Sequence, residues 1–212
     1  MAYSLKGKIV LVTGAAGGIG SALVKSLLDE DVKHVAMLDI AEEAGIALQT
    51  ELNKKHKESK STFIKCDITD KERLYEAFKM VNDEIGYIDI VMNNAGILDD
   101  SSESYLMEIN INLDDLYFSR SGVRVLCVCF GVTKTPILEN IQNFDNCAVG
   151  PISERSQKFK LQSPESAANA VMQAYKQGAS GTVWISTSDK PAIDVTNTYD
   201  QSIELFSEYI YD

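Results

Sequence analysis

The sequence predicts an α/β fold, a doubly wound parallel sheet in a single domain, and three observations predict it. Short apolar, β-branched runs alternate with amphipathic helical stretches from Lys8 to Met92. Glycines crowd the turn after the first run, and no linker, low-complexity tract or repeat interrupts the chain. A single domain spanning residues 1–212 is therefore expected, long enough to bury a sizeable core.

Lys8–Thr13 reads as a strand, because a continuous β-branched run suits a sheet covered on both faces. Ser21–Glu30 follows as a helix with Leu23, Val24, Leu27 and Leu28 at helical spacing. His34–Leu38 is a second strand, Glu42–Lys57 a polar-faced helix and Thr62–Lys65 a third strand. Lys71–Ile85 carries Leu74, Phe78 and Val81 on one face, and Ile88–Met92 is a fourth strand. Alternation at this pitch demands right-handed βαβ crossovers.

Beyond Asn94 the rhythm changes. Tyr105–Tyr117 has a helical pattern, Val123–Phe130 is a strong strand, and Pro136–Phe144 forms a short helix or flap. Ser163-Pro164-Glu165 opens a capped helix that runs to about Gln177, with proline at its first position. Thr182–Ile185 is a last strand, and the acidic, aromatic tail from Asp194 has no assignable pattern.

Composition narrows the function. The net charge of −11, from 31 acidic and 20 basic residues, would repel nucleic acid and anionic membranes at long range. No stretch has the length of a signal peptide or a membrane span, so a cytoplasmic protein with reduced thiols is expected. Cys66, Cys127, Cys129 and Cys147 include no CxxC pair, and the two histidines have no spaced partner, so no metal site is expected. Cys127 and Cys129 fall on one side of a strand and are expected to pack in the core.

The loop Thr13–Gly20 sits between the first strand and the first helix. Glycines there allow a tight turn and a close backbone approach to a pyrophosphate, which the helix N-terminus attracts. Asp39 ends the second strand, 25 residues past Gly14. A carboxylate at that place accepts from both adenosine ribose hydroxyls and repels a 2′-phosphate, which favours NAD over NADP.

The TGxxxGxG spacing of Thr13 to Gly20, Cys66-Asp67-Ile68 after the third strand and Asn93-Asn94-Ala95-Gly96 after the fourth resemble the short-chain dehydrogenase/reductase family. With the Ser163-Pro164-Glu165 helix and Gly181–Ile185, the similarity is to its 15-hydroxyprostaglandin dehydrogenase-like branch. The resemblance implies a Rossmann-type sheet whose residues Gly14, Ala15, Ala16, Gly17, Gly18, Ile19, Gly20, Ser21 and Ala22 cradle the pyrophosphate of NAD. It implies that Asp67 and Ile68 line the adenine. Asn93 would order the fourth strand and touch the cofactor, and Ala95 and Gly96 would pass its ribose. Thr133 and Thr135 would approach the nicotinamide end, although Phe130 stands where that loop usually has proline.

Family chemistry uses a tyrosine acid/base, a lysine four residues later, a serine and a helix asparagine. Ile111-Asn112-Leu113 matches the asparagine's motif, which makes Asn112 the one candidate catalytic residue. The other three belong between Asn112 and Val123, where only ten residues stand, Leu113–Gly122. A strand-plus-helix unit does not fit there. Among the nine tyrosines, only Tyr75 has a lysine four residues on, Lys79, on a helix where the family keeps no chemistry.

Three readings follow. One is NAD-dependent oxidation of a secondary alcohol, of hydroxy fatty acid or prostaglandin type, with an alcohol or ketone as the small-molecule partner. The second is a catalytically inactive splice variant or pseudoenzyme that binds NAD as a binding or regulatory protein. The third is a non-functional product of alternative splicing or of a faulty gene model. The joint near Phe118–Ser121, with good pattern on both sides, has the form of a skipped exon. The family's dimer helices fall largely in the missing block, which removes the usual basis for a homodimer. Val123–Phe130 is expected to close the gap by pairing directly with Ile88–Met92.

Overall fold

The computed structural model describes residues 3–56, 60–96, 123–136 and 160–202. The Tyr105–Tyr117 helix, residues 137–144 of the flap and Asn112 lie outside the described residues. Of those described, 4–56, 60–96 and 134–136 form one compact unit, and 3, 123–133 and 160–202 form a second.

The first unit is a parallel sheet of four strands in the order β3-β2-β1-β4, with β1 Ile9–Thr13, β2 His34–Asp39, β3 Lys60–Lys65 and β4 Ile90–Met92. Every residue of β1 is buried. Alternation sends Ile9 and Leu11 to one face and Val10 and Val12 to the other, and both faces are covered. On the first face Ile9, Leu11, Ala36 and Leu38 pack with Ala77 and Val81 of helix α3, Lys71–Glu84. Leu74 and Phe78 join them from the stripe that helical spacing marks out. Helix α1, Gly18–Asp29, buries the expected Leu23, Val24, Leu27 and Leu28.

Capping explains where the helices start and stop. Asp70 accepts from the Arg73 amide at 3.0 Å and opens α3. Helix α2, Glu42–Lys55, has two glutamates in its first turn and two lysines in its last, matching its dipole. It ends two residues before the expected Lys57, because His56 is already extended.

The third strand starts at Lys60, earlier than the expected Thr62, and side chains explain the difference. Asn53 on α2 donates to the Ser61 carbonyl at 2.9 Å and accepts from the Ser61 amide at 2.8 Å. Gln49, one turn earlier, accepts from the Phe63 amide. Two amide side chains thus satisfy the outer edge of β3 as a neighbouring strand would. At the opposite edge, Asp89 accepts from the Ile9 amide at 2.9 Å and from Lys8 Nζ at 2.8 Å. Burial alone would raise the Asp89 pKa, but these partners hold it below the usual carboxylate value.

The second unit is a sheet in the order β5-β6-β7, with β5 Cys127–Phe130, β6 Val183–Ser186 and β7 Ile193–Asp194. Strands β5 and β6 are parallel, and β6 and β7 antiparallel. Helix α4, Pro164–Gln177, packs Ala170 and Ala174 against Trp184, with Val128 beside them. Ser163 caps it by accepting from the Ser166 amide at 3.1 Å, and Pro164 follows as expected. At its far end the Arg124 guanidinium lies 3.7 Å from the centre of the Tyr3 ring and 4.7 Å from that of Tyr175. Its Nη1 donates to the Gly178 carbonyl at 2.6 Å, so a cation closes the helix's negative end. The tail that the pattern left unassigned contributes β7 and a helical stretch over 196–202.

Three expectations are corrected. β5 covers only Cys127–Phe130 and bonds to β6, so the direct pairing with the fourth strand does not form among the described residues. The fourth strand itself is three residues long: it ends at Met92 as expected but starts at Ile90, two residues late, where the Asp89 carboxylate accepts from the Ile9 amide and Lys8 Nζ. Cys127 and Cys129 do share a face, but Cys127 is only half-buried and Cys129 is exposed, so they are not core residues.

His34 gives the fold a pH dependence. Its Nε2 shares a 3.0 Å hydrogen bond with Thr62 Oγ1, and burial first, then Lys33, lowers its pKa. The unfolded chain therefore takes up a proton near pH 6.5 that the folded chain refuses. Stability is full above that value and falls as pH drops through it. Urea midpoints between pH 8 and pH 5.5 should fall on acidification, and His34→Gln should flatten that slope.

Candidate functional site

The site begins where β1 ends. Thr13 is 5% exposed, and its hydroxyl accepts from the Asn94 amide at 3.1 Å and the Ala95 amide at 3.0 Å. Asn94 Nδ2 in turn donates to the carbonyls of Thr13 at 3.0 Å and Gly14 at 3.1 Å. Four bonds thus clasp the loop after β4 to the glycine loop after β1.

Within that clasp there is no space for side chains. A Cβ on Gly20 would lie 2.0 Å from the Gly14 carbonyl oxygen, and one on Gly14 would lie 2.8 Å from Ala95 Cα. Gly14 also has φ of +64°, the left-handed region that favours glycine. Ala15 is fully buried, and its amide donates to the Leu38 carbonyl at 3.2 Å.

Gly17 differs from both. Its φ of −152° is open to any residue, and a Cβ there would meet nothing within 4 Å. It is the N-cap of α1, yet no side chain caps that helix and no carboxylate lies in its first turn. The amides opening α1 therefore carry no side-chain cap, and the positive end of the helix dipole stands behind them. That is the arrangement that holds a phosphate. Gly18, Ile19, Ser21 and Ala22 form the first turn behind it, with Ser21 Oγ turned back to the Gly18 carbonyl at 3.0 Å.

Asp39 stands beside this loop. One carboxylate oxygen accepts from the Ala16 amide at 2.9 Å and the other from the Ala41 amide at 2.9 Å. These bonds fix the carboxylate while leaving lone pairs on each oxygen for a ligand's hydroxyls. Strands β2 and β3 end together, Asp39 opposite Lys65. Just past those ends stand Ile40, 67% exposed, and Ile68, 39% exposed. Ile68 was anticipated on the adenine side; Ile40 was not, although an isoleucine directly after the ribose-type carboxylate was the available signal. Asp67 is exposed, and Oδ1 accepts from the Thr69 amide at 2.9 Å and hydroxyl at 2.8 Å, which hold its pKa down.

The ordering role expected of Asn93 belongs to Asn94. Asn93 is exposed, whereas Asn94 makes the clasp, because alternation past β4 turns Asn94 toward β1. Gly96 is exposed with open space at its Cβ position. Thr135 approaches the loop: its Cγ2 lies 3.2 Å from a Cβ placed on Gly18. Thr133 is 7% exposed, and its hydroxyl donates to the Gly131 carbonyl at 2.9 Å and accepts from Gln162 at 2.9 Å. Gln162 also accepts from Ser186 at 2.9 Å, so the Thr133 hydroxyl belongs to a buried polar network.

Tyr75 and Lys79 do not form an acid/base pair. Tyr75 is 69% exposed, and Lys79 is ion-paired with Asp83, which raises the lysine's pKa. Among the described residues no group of three or more His, Cys, Asp or Glu side chains could hold a metal ion. No helix among them is long and apolar enough to cross a membrane.

Comparison with known proteins agrees with this geometry. Residues 8–118 match the model of the short chain dehydrogenase family, and the chain belongs to that family. It is an oxidoreductase relative of 15-hydroxyprostaglandin dehydrogenase. The cow protein of that name, with NAD(+) in its title, is 28% identical over 248 residues, covering 88% of this chain and 93% of that protein. The Macaca fascicularis counterpart is 39% identical over 107 residues, 50% of this chain and 40% of its own. The bovine alignment is 248 residues long and this chain has 212, so at least 36 aligned positions have no residue here. In fold, the chain matches L-sorbose reductase from Gluconobacter frateurii, solved with NADPH and L-sorbose, with a TM-score of 0.70. That match has 15% identity and covers 89% of this chain and 98% of the reductase. A short-chain type dehydrogenase/reductase from Mycobacterium marinum matches with a TM-score of 0.69 at 16% identity, covering 87% and 96%.

The clasp can be tested at one atom. Thr13→Val keeps the branched shape and deletes the acceptor of two amides. It should lower the unfolding free energy by about 1–3 kcal/mol in urea titrations.

Proposed function

We propose that this chain binds NAD on the loop from Gly14 to Ala22 and transfers hydride negligibly. Gly17 carries the reading. That N-cap has no side chain over it, no carboxylate lies in the first turn of α1, and a Cβ at Gly17 would meet nothing within 4 Å, so the space before the helix is open to a ligand. A pyrophosphate fits the exposed amides and the dipole. Asp39, already oriented by two amides, would hold the adenosine ribose, and its charge disfavours a 2′-phosphate. Ile40 and Ile68 would flank the adenine, with Asp67 at its rim. Ala95 and Gly96 would border the nicotinamide-side ribose, and Thr135 the far side of the loop.

What NAD supplies when bound is a hydride acceptor. This chain's residues would bind and orient it; the groups that move the proton are the ones missing. Only ten residues separate Asn112 from Val123, the family match ends at residue 118, and the bovine alignment leaves positions unfilled. Loss of a positioned acid/base costs on the order of 10²–10⁴ in rate, and groups that act as a unit fail together. Asn112 alone does not replace tyrosine, lysine and serine. The oxidation of secondary alcohols, of the hydroxy fatty acid or prostaglandin kind, is thus this chain's ancestry. Its present role is that of a splice variant or pseudoenzyme that occupies cofactor. A transcript spanning codons 113–122 would show whether the missing block exists in the gene.

Gly17→Val separates binding from folding. The variant should stay folded and melt a few degrees below the parent without ligand, because valine is a poorer N-cap than glycine. NAD at about 100 times its Kd should stabilise the parent by about 2.7 kcal/mol and leave the variant unmoved. Equal stabilisation of both would contradict the proposed seat. In the same preparation, secondary alcohols with NAD should produce NADH at no more than the protein-free rate.

A further inference from the structure

The two thiols on β5 remain unused by this reading. Cys127 Sγ and Cys129 Sγ lie 3.9 Å apart on one face of the strand. Cys127 is half-buried, Cys129 is exposed, and neither is in a disulfide. Among the described residues β5 is the edge strand of its sheet.

Distance decides what such a pair can do. Residues two apart on a strand have Cα atoms about 6.6–6.8 Å apart. That is the upper limit of the span a disulfide tolerates, so oxidation would strain the strand. A bridging ion has no such difficulty. With a metal–sulfur bond of about 2.3 Å and a tetrahedral angle, two thiolates stand about 3.8 Å apart. The observed separation is that edge of a tetrahedron. Soft thiolates select d10 cations, and an acidic chain attracts any cation at long range.

We propose that Cys127 and Cys129 are a bidentate site for a thiophilic dication of the zinc class. Among the described residues no third His, Cys, Asp or Glu joins the pair, so the two thiolates are the ligands these residues supply. Uptake breaks two S–H bonds, forms two metal–sulfur bonds and releases two protons to solvent, with no redox change.

Titration of the full chain with Cd2+, followed by thiolate-to-metal charge-transfer absorption, tests this. One Cd2+ per chain is expected, with Zn2+ competing. Cys127→Ser and Cys129→Ser should each weaken binding about tenfold or more, while Cys147→Ser should not. A second measurement needs no variant: bound Cd2+ should protect Cys127 and Cys129 from iodoacetamide, read by peptide mass, and leave Cys147 alkylated. Undiminished Cd2+ binding in both β5 variants, or protection confined to other cysteines, would overturn the assignment. So would the absence of saturable binding.

Discussion

The approach of Gly20 to the Gly14 carbonyl is the constraint on which the rest of the site depends. A helix that starts directly after a buried strand must turn within a few residues, and here the helix presses against the Gly14 carbonyl, one residue past the strand's end. A single methyl group at Gly20 would stand 2.0 Å from that oxygen. Only with this contact do the opening amides of α1 face outward and the Ala16 amide reach Asp39. The Thr13–Asn94 clasp then holds the neighbouring strand end in place. The uncapped helix start, the anchored Asp39 carboxylate and the flanking loop are consequences of one tight turn.

Much of the first unit was legible because its signals are local. The β-branched run of β1 and the leucine spacing of α1 are each decided within a few residues. The same holds for Asp39, whose place at a strand end follows from the pattern before it. The site's errors have a different origin. Asn93 and Asn94 are chemically identical, and which one turns toward β1 depends on the exact residue at which β4 ends. The third strand's early start depends on Gln49 and Asn53 from α2, a contact no strand pattern contains.

The second unit was legible as elements and misread as pairing. A run such as Val123–Phe130 announces a strand but not its partner, because pairing is a non-local choice among edges. β6 satisfies β5 on one side, and β4 is only three residues long. Periodicity likewise put Cys127 and Cys129 on one face, but it carries no information on whether that face is covered.

The account stands or falls on whether a dinucleotide settles before α1 with its ribose on Asp39. Isothermal titration of the folded wild-type chain with NADH and, separately, NADPH tests this most directly. The account predicts saturable heat for one NADH per chain and much weaker binding of NADPH, which Asp39 repels. Absence of saturable heat with either dinucleotide would contradict it.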